Sequence, residues 1–536
     1  MSQSTKTRSI TPVIFALTLV AALGGLLFGY DTAVINGATN ALRQFFITPL
    51  ESDAVLATAT IIQFKGIVTL CLVIVVALIT SFIIKLFGKK KGLLISGVLW
   101  IVGIVVLYVF FLRGENVLTE GLGNSIKGFT ISSALVGCII GGSLGGYISQ
   151  SIGRKRGLIL AALLFLISAL GSALPEKLNF MGLATISSFI FYRVVGGIGV
   201  GLASMLSPMY IAEISPAGIR GKLVSWNQFA IIFGMLVVYF VNYFIARGRA
   251  AEWINEVGWR WMFGSETIPA ALFLILLFLV PESPRFLVLK KQENKALALL
   301  KRINPASAEK VFAEVKESLK EKRAPWLSFG GLVIVIGIML SVFQQFVGIN
   351  AVLYYAGDIF RSMGAGNDSS LLQTIIVGSV NLTFTVVAIF TVDHFGRKPL
   401  MVFGGIAMGV SMLALGLSFY LDQMGLLSLI FMLTYTAAFA MSWGPVTWVL
   451  LSEIFPNSIK GAMSIAVAAQ WVANLMVSWT FPMMNESSVL TRMFNHGFSY
   501  WIYGIMGFVS AWLIIKLVPE TKGRTLEDLE KIWKKK

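Results

Sequence analysis

Long apolar runs separated by short clusters of Asp, Glu, Lys and Arg make up this chain. A helix crossing the hydrocarbon of a bilayer needs about 20 mostly apolar residues, because that layer is about 30 Å thick and each residue rises about 1.5 Å. Fourteen runs reach this length: 12–36, 64–86, 92–112, 129–149, 157–174, 183–208, 222–245, 260–280, 329–356, 371–392, 399–421, 427–451, 461–483 and 498–517. The pattern predicts an all-α polytopic membrane protein. The first run passes Asp31 without a small-residue cleavage site, so it reads as a retained span and not as a signal peptide.

The charged clusters set the expected orientation. With the N-terminus inside, alternate loops on the inner side collect 32 of the 43 basic residues, from Lys6 and Arg8 through the 281–325 segment to the C-terminal tail. The positive-inside rule then places both termini in the cytoplasm, and for a bacterial cell the membrane is the inner one. Composition agrees: 56% of residues are hydrophobic and 13% charged, against about 25% charged in a soluble domain. The net charge of +17 is accounted for by the inner loops, without nucleic acid as a partner. Two cysteines, Cys71 and Cys138, both in apolar runs, and two histidines, His394 and His496, argue against a disulfide framework, a zinc site and a histidine-based triad. No cofactor or metal is expected, and no nucleophile, base and orienting group can be assembled into an enzyme.

The two halves of the chain repeat one another. Glu213-Ile-Ser-Pro-Ala-Gly-Ile-Arg-Gly221 matches Glu453-Ile-Phe-Pro-Asn-Ser-Ile-Lys-Gly461, Gly153-Arg154-Lys155 matches Gly396-Arg397-Lys398, and Pro281-Glu282-Ser283 matches Pro519-Glu520-Thr521. The offsets are 240, 243 and 238 residues, so a unit has been duplicated with its order and orientation kept. The first half is longer by two spans. They form a hairpin at about 60–115 whose turn, Lys85-Leu-Phe-Gly-Lys-Lys-Lys-Gly92, is strongly basic and therefore inside. The alternative is a pair of interfacial helices. As true spans, the hairpin is expected on the lipid-facing side of the first bundle, with the oligomeric state open between a monomer and a protomer contact there.

Six motifs now resemble a family. Gly24-Gly-Leu-Leu-Phe-Gly-Tyr-Asp31, Tyr192-Arg-Val-Val-Gly-Gly197, Pro281-Glu-Ser-Pro-Arg285, Gln344-Gln-Phe-Val-Gly-Ile-Asn350, Asp393-His-Phe-Gly-Arg-Lys398 and Pro519-Glu-Thr-Lys-Gly523 are similar, in order, to those of the sugar porter family of the major facilitator superfamily. The likeness is nearest to bacterial members that carry D-xylose with a proton. It implies a major facilitator fold of two six-helix bundles, here with the inserted two-helix hairpin: an N-terminal bundle over 1–280, a cytoplasmic linker with short helices over 281–328, a C-terminal bundle over 329–518 and a tail over 519–536. It also implies import of a monosaccharide by alternating access with a proton as the coupling ion, and membrane lipid as the surroundings. A facilitator without coupling and a sugar sensor that binds without translocating are the competing functions.

Asp31 is the one charged residue between Thr11 and Asn40, and a carboxylate in hydrocarbon costs about 3 kcal/mol on insertion scales. Either it reaches the headgroups at the outer end of its span or it is a proton site. Arg193 is the cation such a site needs, and the resemblance adds Glu266 as a third member, against a rim ion pair of Glu266 with Arg260. In the family's uniporters the position of Asp31 is usually an amide, so a retained Asp argues for coupling.

A sugar needs neutral groups that donate and accept, and a flat apolar surface for its C–H face. By resemblance Gln228, Gln344, Gln345, Asn350, Trp448 and Gln470 line the pocket, with Phe28, Tyr354 and Trp471 beside them. Interhelical hydrogen bonding is the alternative for Gln344 and Gln345, and plain packing for Trp448 and Trp471. Met235 stands where glutamine is expected for a xylose site.

The loop charges read as gating machinery: Arg154, Lys155, Glu213, Arg220, Glu282 and Arg285 in one half, Asp393, Arg397, Lys398, Glu453, Lys460 and Glu520 in the other. Such networks would hold the inner side closed in an outward-facing state. For any one of these charges a solvated loop position is the alternative. Gln150 stands in the first half where the second has Asp393. The glycine-rich stretches Gly141–Gly146 and Gly196–Gly201 lie inside apolar runs and lack a Gly-Lys-Ser/Thr sequence, so they read as helix-packing surfaces and not as phosphate loops.

Overall fold

The computed structural model describes residues 12–522 apart from 115, 180–181, 217–218, 304 and 320–323. Among the described residues the chain is helical, with no strand. In hydrocarbon every backbone N–H and C=O must be satisfied within the protein, and a helix does so inside one segment. The first bundle consists of α1 (Pro12–Leu42), then, after an interposed hairpin of α2 (Ala54–Phe87) and α3 (Lys89–Leu107), α4 (Glu120–Ser151), α5 (Arg154–Ala173), α6 (Thr185–Ile214), α7 (Arg220–Ala246), and the broken pair α8 (Trp259–Ser265) and α9 (Thr267–Leu279). The second consists of α10 (Leu332–Phe346), α11 (Ile349–Ser362), α12 (Asn367–Phe395), α13 (Arg397–Tyr420), α14 (Leu426–Met441), α15 (Trp443–Ile454), α16 (Met463–Asn485) and α17 (Phe498–Leu517).

Thirteen helices among the described residues are long and apolar enough to cross a membrane. The remaining expected span is α3, which opens on three lysines and continues through a five-residue π turn to Leu112. The first span is longer than its apolar run suggested, ending at Leu42 instead of 36. Two other runs are interrupted. Between α10 and α11 Gly348 takes a left-handed φ of 91°, and a Cβ there would lie 2.5 Å from the Tyr503 ring. Between α14 and α15 the break falls at Ser442. The Tyr435 hydroxyl donates to the Val347 carbonyl at 2.7 Å, which satisfies a backbone group freed by the first break.

Close helix approach explains the glycine-rich stretches. A Cβ on Gly197 would sit 1.8 Å from the Ala134 carbonyl oxygen, and one on Gly137 2.0 Å from that of Val194. α4 and α6 therefore touch backbone to backbone, a packing available only to small residues.

The hairpin stands along the bundle as a pair of long helices, not as interfacial ones. α2 has 34 residues, or about 50 Å of helix. Its first half is fastened to the first bundle: Phe64 packs on Phe129 at 5.6 Å, and the Gln63 side chain accepts from the Ala184 N–H at 2.8 Å. Lys65 Nζ closes the hairpin, donating to the Gly114 carbonyl at 2.8 Å and to Asn116 Oδ1 at 2.9 Å. α3 packs on α2 and leaves Leu94, Ile101, Val102 and Ile104 exposed. The second half of α2 does more than cover the first bundle, because it also faces α10 and α16 of the second.

The end of the molecule that carries Gly153, Gly396 and the hairpin turn is here termed the basic end. Three short helices between the bundles, Pro284–Leu289, Glu293–Ile303 and Ala308–Ser318, lie there. The second of them buries Ala296, Leu299, Leu300 and Ile303 and keeps its charges in solvent.

Candidate functional site

Asp31 and Arg193 meet in the middle of the first bundle. Arg193 Nη1 lies 2.6 Å from Asp31 Oδ1 and Nη2 lies 3.1 Å from the Asp31 carbonyl oxygen. Their side chains are 0% and 1% exposed, so the headgroup reading of Asp31 is set aside by geometry. Gly196 makes the room: a Cβ there would come within 3.4 Å of Asp31 Oδ1 and 2.3 Å of Ser168 Oγ. The guanidinium also faces the Phe263 ring at 5.3 Å. Glu266 sits at the break between α8 and α9, 0% exposed and close enough to interact with both Asp31 and Arg193. It is not a rim residue. Arg260 pairs instead with Glu176 at 2.5 Å and stacks on Trp259 and Phe45. Two carboxylates and one guanidinium are thus enclosed together, which leaves one negative charge without a partner when both acids are ionised.

The second bundle holds a chain of amides. Asn350 Nδ2 donates to Gln345 Oε1 at 2.5 Å, Gln345 Nε2 to Gln344 Oε1 at 3.4 Å, and Gln470 Nε2 to the same oxygen at 2.5 Å. Gln344 Nε2 in turn donates to the Trp443 and Gly444 carbonyls at 3.0 and 3.2 Å. The break at Gly348 places Asn350 on the next helix, in reach of Gln345. Gln470 Oε1 and Trp471 Nε1 are buried and have no protein partner, so the site offers an acceptor and a donor side by side. The Trp471 ring lies 5.6 Å from that of Phe28 on α1, so both bundles contribute at this point. Tyr354, buried and hydrogen-bonded to Asn474, lies within the field of Asp31 and Arg193 and so connects the two groups of residues. Trp448 packs half-buried on the core. Gln228 is half-buried on α7. Met235 is buried beside Gly29, where α1 and α7 cross.

The loop charges form two copies of one device. The Glu282 carboxylate caps the start of α5, accepting from the Arg154 and Lys155 N–H groups at 3.0 and 3.1 Å, while the Arg154 side chain pairs with Glu213 at 2.8 Å. Likewise Glu520 caps α13 through the Arg397 and Lys398 N–H groups at 3.2 and 3.1 Å, and Arg397 pairs with Glu453 at 3.0 Å. Lys155 Nζ and Lys398 Nζ each donate to a carbonyl near the end of the helix that leads into the Pro-Glu motif, those of Phe278 on α9 and Ile515 on α17. A carboxylate at a helix N-terminus also meets the favourable end of its dipole. These networks run within each bundle, between its own helices. Arg220 is exposed and Arg285 half-buried, and neither makes an ion pair among the described residues. The side chains of Asp393 and Lys460 lie outside the described residues.

What joins the bundles lies at the other end. Lys127 Nζ on α4, 6% exposed, contacts Asp358 at 3.1 Å and Glu486 at 2.5 Å, and Arg43 pairs with Glu486 at 2.9 Å. Asp358 also pairs with Arg361 and accepts from Thr39 Oγ1 at 2.8 Å. Asn36 and Tyr239 both donate to the Leu353 carbonyl, at 2.8 and 3.2 Å. Sequence reasoning passed over Lys127, Asp358 and Glu486. Each is a charge at the edge of an apolar run, but its partner is more than two hundred residues away, and no local spacing links them.

A family profile described as "Sugar (and other) transporter" matches residues 17–118 and 114–533. The chain belongs to this sugar transporter family. The D-xylose-proton symporter of Escherichia coli K12 is 51% identical to the transporter over 97% of this chain and 96% of that protein. The glucose facilitated diffusion protein of Zymomonas mobilis is 36% identical over 97% of this chain and 98% of its own length. Among solved structures, the inward open conformation of the Escherichia coli xylose transporter XylE superposes with a TM-score of 0.76 at 50% identity, covering 97% of this chain and all of that one. The transporter is an integral membrane protein with the major facilitator fold, and secondary transport, not enzymatic catalysis, is its activity.

Proposed function

We propose that this chain is a D-xylose/proton symporter of a bacterial inner membrane, working by alternating access. The observation that carries the reading is the enclosed group of Asp31, Arg193 and Glu266, next to Tyr354 at the edge of the amide site. A proton entering this group neutralises its unpaired charge and releases Asp31 from Arg193, and loosening that pair frees α1 to move against α6. The sugar sits between Phe28 and Trp471, with its hydroxyls on Gln344, Gln345, Asn350, Gln470 and the indole N–H. Gln228, Trp448 and Tyr354 border the site.

The positive-inside rule supports a cytoplasmic basic end and cytoplasmic termini. The bundles, 1–280 and 329–518, then rock about a site near the midplane while 281–328 tethers them. The polar latch of Lys127, Asp358, Glu486 and Arg43 closes the outer side when the basic end is open. The capping networks keep each bundle rigid as it moves, and Asp393, Lys460, Arg220 and Arg285 engage when the basic end closes. D-xylose is favoured by the 51% relative, and membrane lipid is the remaining partner.

Proteoliposome counterflow with and without an imposed pH gradient tests the assignment. Asp31→Asn should lose uphill uptake and keep sugar exchange; pH-driven accumulation retained in that variant overturns the coupling role. A second reading, uncoupled glucose transport, is favoured by the 36% relative and by Met235 in place of the expected glutamine. It requires wild-type uptake that never exceeds equilibrium and a preference for hexose in a sugar panel.

A further inference from the structure

Between the inserted hairpin and the second bundle lies an apolar groove of about 350 Å³. Leu78, Phe82 and Leu86 of α2 form one wall, Ile139 of α4 the back, and Phe346 of α10 and Met476 of α16 the other wall. The groove runs from mid-membrane to the basic end, because α2 descends toward the hairpin turn while α10 and α16 begin near that end. Leu86 is the last residue of α2 to line the groove, and the turn it leads into carries Lys85, Lys89, Lys90 and Lys91, all exposed, with no carboxylate.

We propose that this groove binds an anionic phospholipid, with an acyl chain between α2 and the second bundle and the headgroup phosphate on the four lysines. Charge selects this occupant. A second copy of the hairpin would bring eight lysines together, whereas a lipid phosphate neutralises them and its chain fills a space with apolar walls on both sides. Basic residues next to the membrane surface each strengthen anionic lipid binding by roughly fivefold.

The site also has a conformational consequence, which rests on the alternating-access reading above. Its walls belong to both bundles, so closing the basic end brings α10 and α16 toward α2 and α4 and narrows the groove. A ligand that fits the open groove better shifts the population toward the inward-open state by the ratio of its two affinities. The hairpin thereby makes the inward-facing state responsive to membrane charge.

The full-length protein in nanodiscs of phosphatidylcholine, with or without phosphatidylglycerol, provides the test. Native mass spectrometry should find retained phosphatidylglycerol on the wild type, reduced at least tenfold by K85Q/K89Q/K90Q/K91Q and by the groove-filling Ile79→Trp. Spin labels on Arg156→Cys and Phe395→Cys should report a larger open population with phosphatidylglycerol in the wild type and no lipid response in either variant.

Equal retention by the variants overturns the site, as does a dimer in place of lipid adducts. Opening induced equally by inorganic phosphate overturns the acyl-chain component, and an unchanged distance distribution overturns the conformational consequence. Sugar counterflow is measured alongside. Its absence in the wild type would count against the transport assignment and leave the lipid-adduct result standing.

Discussion

Replacing Lys127 by Met separates the two ends of the transporter. The ammonium is 6% exposed and lies between Asp358 and Glu486, themselves 15% and 20% exposed. Removing one member of a fully buried ion pair costs about 3–5 kcal/mol, because the remaining charge is left desolvated. Here the cost is smaller. Arg361 still faces Asp358, Arg43 still faces Glu486, and both acids retain some water, so we take about 1–3 kcal/mol as the scale, or roughly a 5–150-fold shift. The penalty applies while the latch end is closed and vanishes once the bundles part there and the acids hydrate, so the variant moves toward the state open at that end.

Labels at Val117→Cys and Val489→Cys, exposed positions on opposite sides of the latch end, should show the long-distance population growing by that factor, and Lys127→Arg should reverse most of it. A distance distribution identical to wild type in Lys127→Met, with Asp358 and Glu486 intact, would refute the assignment of these residues as the latch.

Three further outcomes follow from the geometry. Gly153→Ala should slow transport and lower thermal stability more than Gly396→Ala, because the new Cβ would sit 2.2 Å from Glu282 Oε2 but 3.0 Å from Glu520 Oε2, at a left-handed φ in both cases; paired melting curves and uptake rates check it. Trp471→Phe keeps the ring beside Phe28 and removes the unpartnered indole N–H, so KM for the sugar should rise about 2–10-fold with little change in stability, the scale of one neutral hydrogen bond; counterflow at varied sugar concentration measures it. Glu282→Gln weakens the charge-assisted cap of α5 and should destabilise the first bundle by about 1 kcal/mol, with Glu520→Gln doing the same to the second; the two variants should melt alike if the devices are equivalent.

The order of the charged clusters determined much of this protein before any coordinates. Apolar length is a one-dimensional property, so the spans could be read directly, and so could the repeat, because duplicated motifs keep their spacing. Asp31 and Arg193 stood out for a related reason: a charge is costly in hydrocarbon wherever it lies, and two isolated charges of opposite sign are natural partners.

Tertiary structure alone decided which charges meet. Among the charges expected at the inner gate, Glu282 and Glu520 cap helices of their own bundles, since a carboxylate reaches the nearest free helix N-terminus and that terminus belongs to its own repeat. The bundles are instead joined by Lys127, Asp358 and Glu486, whose contacts span more than two hundred residues. Glu266 and Arg260, six positions apart, found different partners because six residues of helix turn the side chain by about 240° around the axis, so one faces inward and the other the rim. The hairpin, read as a cover for one bundle, reaches both, because how far a helix of about 50 Å extends across its neighbours is set by packing angles that its sequence does not record.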